Sequence, residues 1–393
     1  MIEICSKENC SGCGLCIAIC SKKAITLQKG KLGHLYPVID PNKCIDCGLC
    51  QKRCPANNTP QLLKPQKAFA AFSKDTNDYK TSTSGAAASV FSNYFIEQGG
   101  VVYGCAVCNI ENKTIDIKHI RVTTKEELPR LKGSKYVQSR IVEILPLLKE
   151  DVKNGKKVLF IGTPCQAAAV RNLFPKVPDN LWIVDIICHG VPSLNLLQQH
   201  IRNKIGNQEI DNVRFREGAK YCISFLSQGN IIYNSDLFKE RYKDEYYNSF
   251  FDGYTSRDSC NRCKYAYPLR VSDVTIGDFW GLGRVEDSSM IKEHDEGISV
   301  ILPITNKGIE LIQSISSKLH IYERKVEEAI NGNDQLRAPK ALSFRIRLFR
   351  KLCDIFAFST AYKLSIADIK LKQCIKRFLK VLKVDKLIKI CKR

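Results

Sequence analysis

Val158-Leu159-Phe160-Ile161-Gly162-Thr163-Pro164-Cys165-Gln166 is the stretch on which the fold turns. Four consecutive large apolar residues suit a strand buried on both faces, as in a parallel sheet covered by helices. Gly162-Thr163-Pro164 then breaks the strand. A proline at the first helical position is pre-set for helix, so Cys165 to Leu173 is expected to be helical. Leu181 to Ile187 reads as the following strand. Strand, helix and strand at this spacing predict βαβ organisation and an α/β fold with a mostly parallel sheet.

Working outward, Ala68 to Phe72 reads as a strand, Ser82-Thr83-Ser84-Gly85 as a turn and Ala86 to Gln98 as a helix. Gly99-Gly100 stops that helix, and Val101-Val102-Tyr103-Gly104 opens another strand. Pro55-Ala56-Asn57-Asn58-Thr59-Pro60, followed by Pro65, marks a linker. The expected organisation is therefore an α+β, ferredoxin-like module over 1–62 and an α/β core read in two parts, 66–150 and 151–335. A basic helical tail over 340–393 completes it.

The 393 residues hold 19 cysteines, and 44% of the chain is hydrophobic, which excludes disordered and low-complexity classes. The start, Met1-Ile2-Glu3-Ile4-Cys5-Ser6-Lys7-Glu8, has no apolar run of the kind a secretory signal needs. Many cysteines in a reducing, cytoplasmic setting point to thiolate ligands and away from a disulfide framework. The formal charge is +21, but 16 Lys and Arg against 3 Asp lie in residues 340–393 alone. A basic tail without a recognition fold argues against nucleic-acid binding.

Cys10, Cys13, Cys16 and Cys20 recur as Cys44, Cys47, Cys50 and Cys54, each displaced by 34 residues, and Gly14-Leu15 recurs as Gly48-Leu49. Each copy is C-x2-C-x2-C-x3-C, the run of two-cluster bacterial ferredoxins, whose fourth cysteine serves the other cluster. Three thiolates on one tight loop wrap three corners of a cubane, and glycine lets the backbone approach it. Cys10, Cys13, Cys16 and Cys54 are thus expected to hold one 4Fe-4S cluster, and Cys44, Cys47, Cys50 and Cys20 the other. Structural zinc instead pairs two C-x2-C half-sites across a longer gap. Pro55 follows the second run as the pattern expects, whereas Ser21 follows the first.

Cys260-Asn261-Arg262-Cys263 is a lone C-x2-C, open to reading as half a zinc site or a redox dithiol. Cys165 at a strand-to-helix turn and Cys188 at the end of the next strand would both open onto the crevice beyond the carboxyl ends of the strands. Those positions favour a third 4Fe-4S cluster on Cys165, Cys188, Cys260 and Cys263, against the alternative of buried apolar thiols. His189 reads as structural before it reads as a ligand. Cys105 and Cys108 also share x2 spacing but have no further pair to complete them, and Cys5, Cys222, Cys353, Cys374 and Cys391 follow no pattern.

Iron-sulfur clusters pass single electrons, so two-electron chemistry calls for a flavin or similar converter. Ser82, Ser84 and Gly85 precede a helix and offer hydroxyls and a positive helix end to a phosphate. Ser134, Lys135 and Tyr136 add a hydroxyl, a cation and a ring, and Gly162-Thr163 offers a second helix start. Each also has an ordinary reading as a cap or loop. Asp278, Phe279 and Trp280 end an alternating strand, suiting either a stacked flavin ring with a polar anchor or a hydrophobic plug.

The set in order resembles the coenzyme F420 hydrogenase/dehydrogenase beta-subunit family. The matching pieces are Ser82-Thr83-Ser84-Gly85, Gly99 to Gly104, Ser134 to Gln138, Gly162 to Gln166, Cys188 to Ser193 and Ser259 to Gly281. The resemblance implies an FAD-binding α/β core with its own 4Fe-4S cluster, passing electrons between clusters, flavin and an organic acceptor. It leaves the substrate and the use of F420 open. The expected function is an iron-sulfur flavoprotein oxidoreductase fed by ferredoxin or another redox partner protein, the alternative being an electron-transfer subunit of a larger redox complex. His189, Lys135 and Asp278 are the candidates for proton transfer.

Within the tail, apolar residues at 371, 374, 375, 378, 379 and 382 form a helical stripe flanked by lysines, and the stripe restarts at Val384, Leu387, Ile388 and Cys391. Phe344 to Phe358 is a second amphipathic stretch. Such helices suit either an anionic membrane surface, here the inner face of the membrane, or packing on the protein's own body.

Overall fold

The computed structural model describes residues 3–110, 114–291 and 295–381. Cys391 and the restarted stripe lie outside the described residues. The strands are β1 Ile25–Lys29, β2 Leu35–Ile39, β3 Ala68–Ser73, β4 Val101–Ile110, β5 Thr114–Val122, β6 Val158–Gly162, β7 Leu181–Ile186, β8 Asn212–Arg214, β9 Cys222–Ser227, β10 Asn230–Asp236, β11 Val274–Asp278, β12 Ser299–Pro303 and β13 Leu319–Arg324.

Eight of them form one sheet in the order β13-β3-β12-β11-β7-β6-β4-β5. The four central strands β4, β6, β7 and β11 run parallel. β12, β3 and β13 on one side and β5 on the other pair antiparallel. The fold is α/β, but the expected mostly parallel sheet is corrected to a mixed one. The helical crossover from β6 to β7 makes those strands parallel, whereas the β4–β5 hairpin can only return antiparallel. Because β3 pairs with β12 and β13, the residues before and after 150 share one sheet.

Alternation along the central strands sends side chains to two layers. Val101, Tyr103, Val158, Phe160, Leu181 and Ile183 face helices Ile144–Lys153 and Pro164–Leu173. Val102, Leu159, Val184, Val274 and Ile301 face helices Ala87–Glu97 and Asn306–Ile315. The small sheet β10-β9-β8 builds a separate core with helix Glu245–Asp252.

That second core also receives Ile346, Phe349, Phe358, Ala361 and Tyr362 from helices Phe344–Leu352 and Phe358–Ser365. The amphipathic stretch from Phe344 to Phe358 therefore spends its apolar face on the protein's own body. Helix Ala367–Val381 follows, with Leu371 and Ile375 exposed. Among the described residues no helix is long and apolar enough to cross a membrane.

The N-terminal module has only Ile4, Ile25 and Ile39 in its buried centre, surrounded by half-buried cysteines. So small an apolar core does not hold a fold of this size without a staple, the place a metal cluster takes in miniature domains. The module is fastened to the core at several points. Leu15 is inserted among Ile141, Leu145 and Ala168, and Arg53 Nη1 donates to the Asn172 and Phe174 carbonyls. Gln138 Nε2 donates to the Ser11 carbonyl at 2.9 Å, and Ser193 Oγ donates to the Leu32 carbonyl at 2.5 Å.

Candidate functional site

The two cysteine runs fold alike. Helices Leu15–Ala18 and Leu49–Arg53 each start from a left-handed glycine, Gly14 at φ 74° and Gly48 at φ 66°, a conformation that costs other residues about 1 kcal/mol or more. The turns bring the thiols of Cys10, Cys13, Cys16 and Cys54 together, so the fourth member comes from the other run. Burial pushes Cys13 up to about 12 against the pull of the Leu15 N–H, and the neighbouring Cys10, Cys54 and Cys165 thiols push the same way. Burial likewise raises Cys16, followed by Cys13, Cys10 and Cys54. Cys20, Cys44, Cys47 and Cys50 line a second, smaller cavity, with Cys47 exposed.

Sequence spacing missed Cys5. Its thiol stands within hydrogen-bonding reach of both Cys10 and Cys54, and those bonds push it far up from its ordinary range. Nothing in the spacing marks it, because strand and loop geometry brings residue 5 to the set.

The third group assembles from three places in the chain. Thr163 caps helix Pro164–Leu173 in a reciprocal capping box with Gln166, fixing Cys165 in the first turn. Cys188 lies just past the carboxyl end of β7. Cys260 sits in the one-turn helix Asp258–Arg262, and Cys263 follows it. Burial pushes Cys188 well up, and the adjacent Cys260, Cys165 and Cys263 thiols add to it. Arg350, from the C-terminal segment, clamps this loop through Asp258 Oδ1 at 2.6 Å and the Ser256 carbonyl and Asn261 Oδ1 at 2.9 Å.

Among the described residues no three His, Cys, Asp or Glu side chains close around a single metal ion. A cubane takes its thiolates at separate corners, which requires a wider set. Four soft thiolates converging on one spot three times over fit 4Fe-4S chemistry.

Cys188 and His189 also border an extended cleft at the carboxyl ends of the parallel strands. Ser82, Ser84, Ser134, Lys135, Tyr136, Gly162, Thr163, Asp278 and Trp280 all line it. Two expected cofactor residues do not. Phe279 is buried in a cluster with Ile187, Ala329 and Leu336, because successive strand-end residues face opposite ways. Gly85 is held against β3 and β12, where a Cβ would meet the Ala71 carbonyl at 2.1 Å.

Within the cleft the polar groups are fixed. Ser82 Oγ is buried with no hydrogen-bond partner, at the loop that feeds helix Ala87–Glu97. An orphaned hydroxyl there fits a phosphate-bearing cofactor such as FAD. Lys135 Nζ donates to the Leu131 and Lys132 carbonyls, and burial lowers its pKa. The Tyr136 ring is stacked on Phe250 with centroids 4.6 Å apart. Asp278 accepts both of its short bonds from Arg216 Nη1, at 2.8 and 2.9 Å. Burial pulls His189 down to about 4, and its ring lies 4.9 Å from that of Trp280.

A doubled ferredoxin-type cysteine run docked on an α/β core defines an iron-sulfur protein of the oxidoreductase class. Comparison with known proteins agrees. Residues 155–329 match the family described as the C terminus of the coenzyme F420 hydrogenase/dehydrogenase beta subunit, and 4Fe-4S dicluster profiles match residues 9–58 and 36–94. One of the subunits of the F(420)H(2) dehydrogenase of Methanosarcina mazei is 26% identical over 383 residues, 92% of this chain and 97% of that protein. An uncharacterized ferredoxin of Methanocaldococcus jannaschii is 35% identical over 78 residues, 20% of this chain and 92% of that one. A chain of the F420-reducing [NiFe] hydrogenase complex from Methanosarcina barkeri superposes with a TM-score of 0.47 at 20% identity, over 78% of this chain and 93% of that chain. The chain belongs to the coenzyme F420 hydrogenase/dehydrogenase beta-subunit family and carries 4Fe-4S dicluster sequence at its N-terminus.

Proposed function

We propose that the chain is an iron-sulfur flavoprotein oxidoreductase that takes electrons at its N-terminal module and delivers them to an organic acceptor at the cleft. The observation that carries this reading is the meeting of Cys165, Cys188, Cys260 and Cys263 at the rim of the cleft, beside the inner thiol set of the module. Cys10, Cys13, Cys16 and Cys54 would hold an inner 4Fe-4S cluster, Cys20, Cys44, Cys47 and Cys50 an outer one, and the four rim cysteines a third. FAD would lie along Ser82, Ser84, Ser134, Tyr136, Gly162 and Thr163. Bound there, the clusters exchange single electrons and the flavin converts between one- and two-electron chemistry.

The chain's own residues position and exclude. Tyr136 and Phe250 wall the cleft, and the Arg216–Asp278 pair fixes a polar edge. His189, kept neutral at pH 7 by burial, is the proton donor or acceptor best placed near Trp280. Lys135 is tied to two carbonyls and is assigned to positioning. The test is Cys188→Ser in anaerobically purified protein. Loss of about four irons with the module's two cluster signals intact supports the third cluster, and full iron retention overturns it.

The exposed outer thiols and the 26% identical relative's place within a dehydrogenase favour work alongside redox partner subunits. Flavin reoxidation by a soluble acceptor without any partner distinguishes an enzyme from a pure electron-transfer subunit. Leu371 and Ile375, exposed on a basic helix, suit an anionic membrane surface. Unchanged vesicle co-sedimentation after truncation at residue 366 removes that role.

A further inference from the structure

Two arginines are almost wholly buried and carry their charge in opposite ways. Arg270 lies 3.0 Å from the equally buried Asp185, an ordinary internal ion pair. Arg257 makes no ion pair among the described residues, although only 1% of it is exposed. Its Nε donates to the Cys10 carbonyl at 2.6 Å and its Nη2 to the Leu35 carbonyl at 2.8 Å. Nη1 reaches Gln138 Oε1 at 3.3 Å, Nη2 reaches Cys10 Sγ at 3.5 Å, and the guanidinium lies over the Tyr36 ring at 4.1 Å.

Carbonyls and an aromatic face solvate a guanidinium but do not neutralise it. A buried charge left in that state is costly unless an anion stands nearby. A cubane bound by four thiolates is a net anion, and Cys10 is already in contact. The outer set has no equivalent. Its described partners are backbone N–H groups, Ala24 to Cys20 and those of Cys50 and Gln51 to Cys50.

We propose that Arg257 is the fixed counter-charge of the inner cluster, holding the reduction potential at Cys10, Cys13, Cys16 and Cys54 above that of the outer set. This rests on the reading that those cysteines bind a cluster. A nearby cation stabilises the reduced, more negative state, so one electron shared by the two sites settles at the inner one. No bond forms or breaks and no proton moves, since the guanidinium stays charged at every working pH. Because Arg257 belongs to the core and reaches into the module, the inward bias exists only while the two are docked.

The experiment is a potentiometric titration of the full, anaerobically purified chain followed by electron paramagnetic resonance. In Arg257→Gln the electron partition between inner and outer sites shifts outward at least tenfold, which is about 59 mV for one electron, with the outer potential unmoved. Arg257→Lys stays within threefold of wild type. If Arg257→Gln fails to hold its inner cluster, Gln138→Glu supplies the reading, because a carboxylate beside Arg257 cancels its charge and shifts the partition the same way. Full iron with an unmoved inner potential in either neutralised form overturns the proposal. A wild-type protein with no inner cluster signal would instead refute the reading beneath it.

Discussion

Residues 10–20 and 44–54 repeat one spacing, yet the molecule treats them differently. In the first copy Leu15 is buried in the core, Cys10 is buried, and a Cβ on Gly14 would strike Val142 Cγ2 at 2.2 Å. In the second, Leu49 and Ile45 are exposed, Cys47 faces solvent, and a Cβ on Gly48 would meet nothing within 4 Å. Ligand geometry keeps the two local folds equal, and docking makes them unequal. An electron path needs that difference, with one cluster open to donors and one shielded beside the next acceptor.

Serine replacements at Cys13 and Cys47 are the harshest way to break the comparison. Each is expected to remove about four irons. Only Cys13→Ser should also loosen the docked module, read as faster proteolysis at the 55–65 linker. Equal cleavage of the two variants would contradict the inner and outer assignment.

Acid should sharpen the comparison next. His34 joins the inner half to the core, facing Arg257, Asp258, Gln138 and the Thr255 carbonyl. Burial, with the Arg257 charge adding to it, pulls His34 down to about 4 from 6.5. A released module therefore binds the proton first as pH falls. Docking is fully favoured above about pH 6.5 and loses up to about 3 kcal/mol toward pH 4. His34→Gln should flatten that slope in a proteolysis-against-pH series, and an unchanged slope removes His34 as its source.

Alanine at the two glycines gives a smaller contrast. Both variants pay for a left-handed residue, about 1 kcal/mol, and Gly14→Ala adds about 1–3 kcal/mol of overpacking against Val142. Denaturation midpoints should separate them in that order. The smallest expected change in stability, within about 0.5 kcal/mol, is for Leu49→Glu on the open side. That variant should slow reduction by a ferredoxin-type donor while leaving the folded protein intact, and an unaltered rate would place donor docking elsewhere.

Local chemistry was legible in the residues, and tertiary approach was not. The paired cysteine runs, the βαβ unit from Val158 to Ile186 and the helix after Ser84 depend on short-range spacing, and each lies where periodicity put it. The antiparallel flank β12-β3-β13 joins residues more than 200 positions apart, and nothing local to Ala68–Ser73 reveals those partners. Alternation at the end of β11 could have set Trp280 apart from Phe279, since adjacent side chains cannot both face one cleft. Cys5 and Arg257 carry no motif at all, because contacts made by the folded module define their roles. The Phe344 stretch shows an apolar stripe without its partner, and Tyr254 and Tyr362 supply one.

The central claim is a chain of three clusters ending at a flavin. Anaerobic purification of the intact protein with iron, acid-labile sulfide and flavin quantified tests it most directly. The account predicts about twelve irons, as many sulfides and one FAD per chain. About eight irons with no flavin would contradict it.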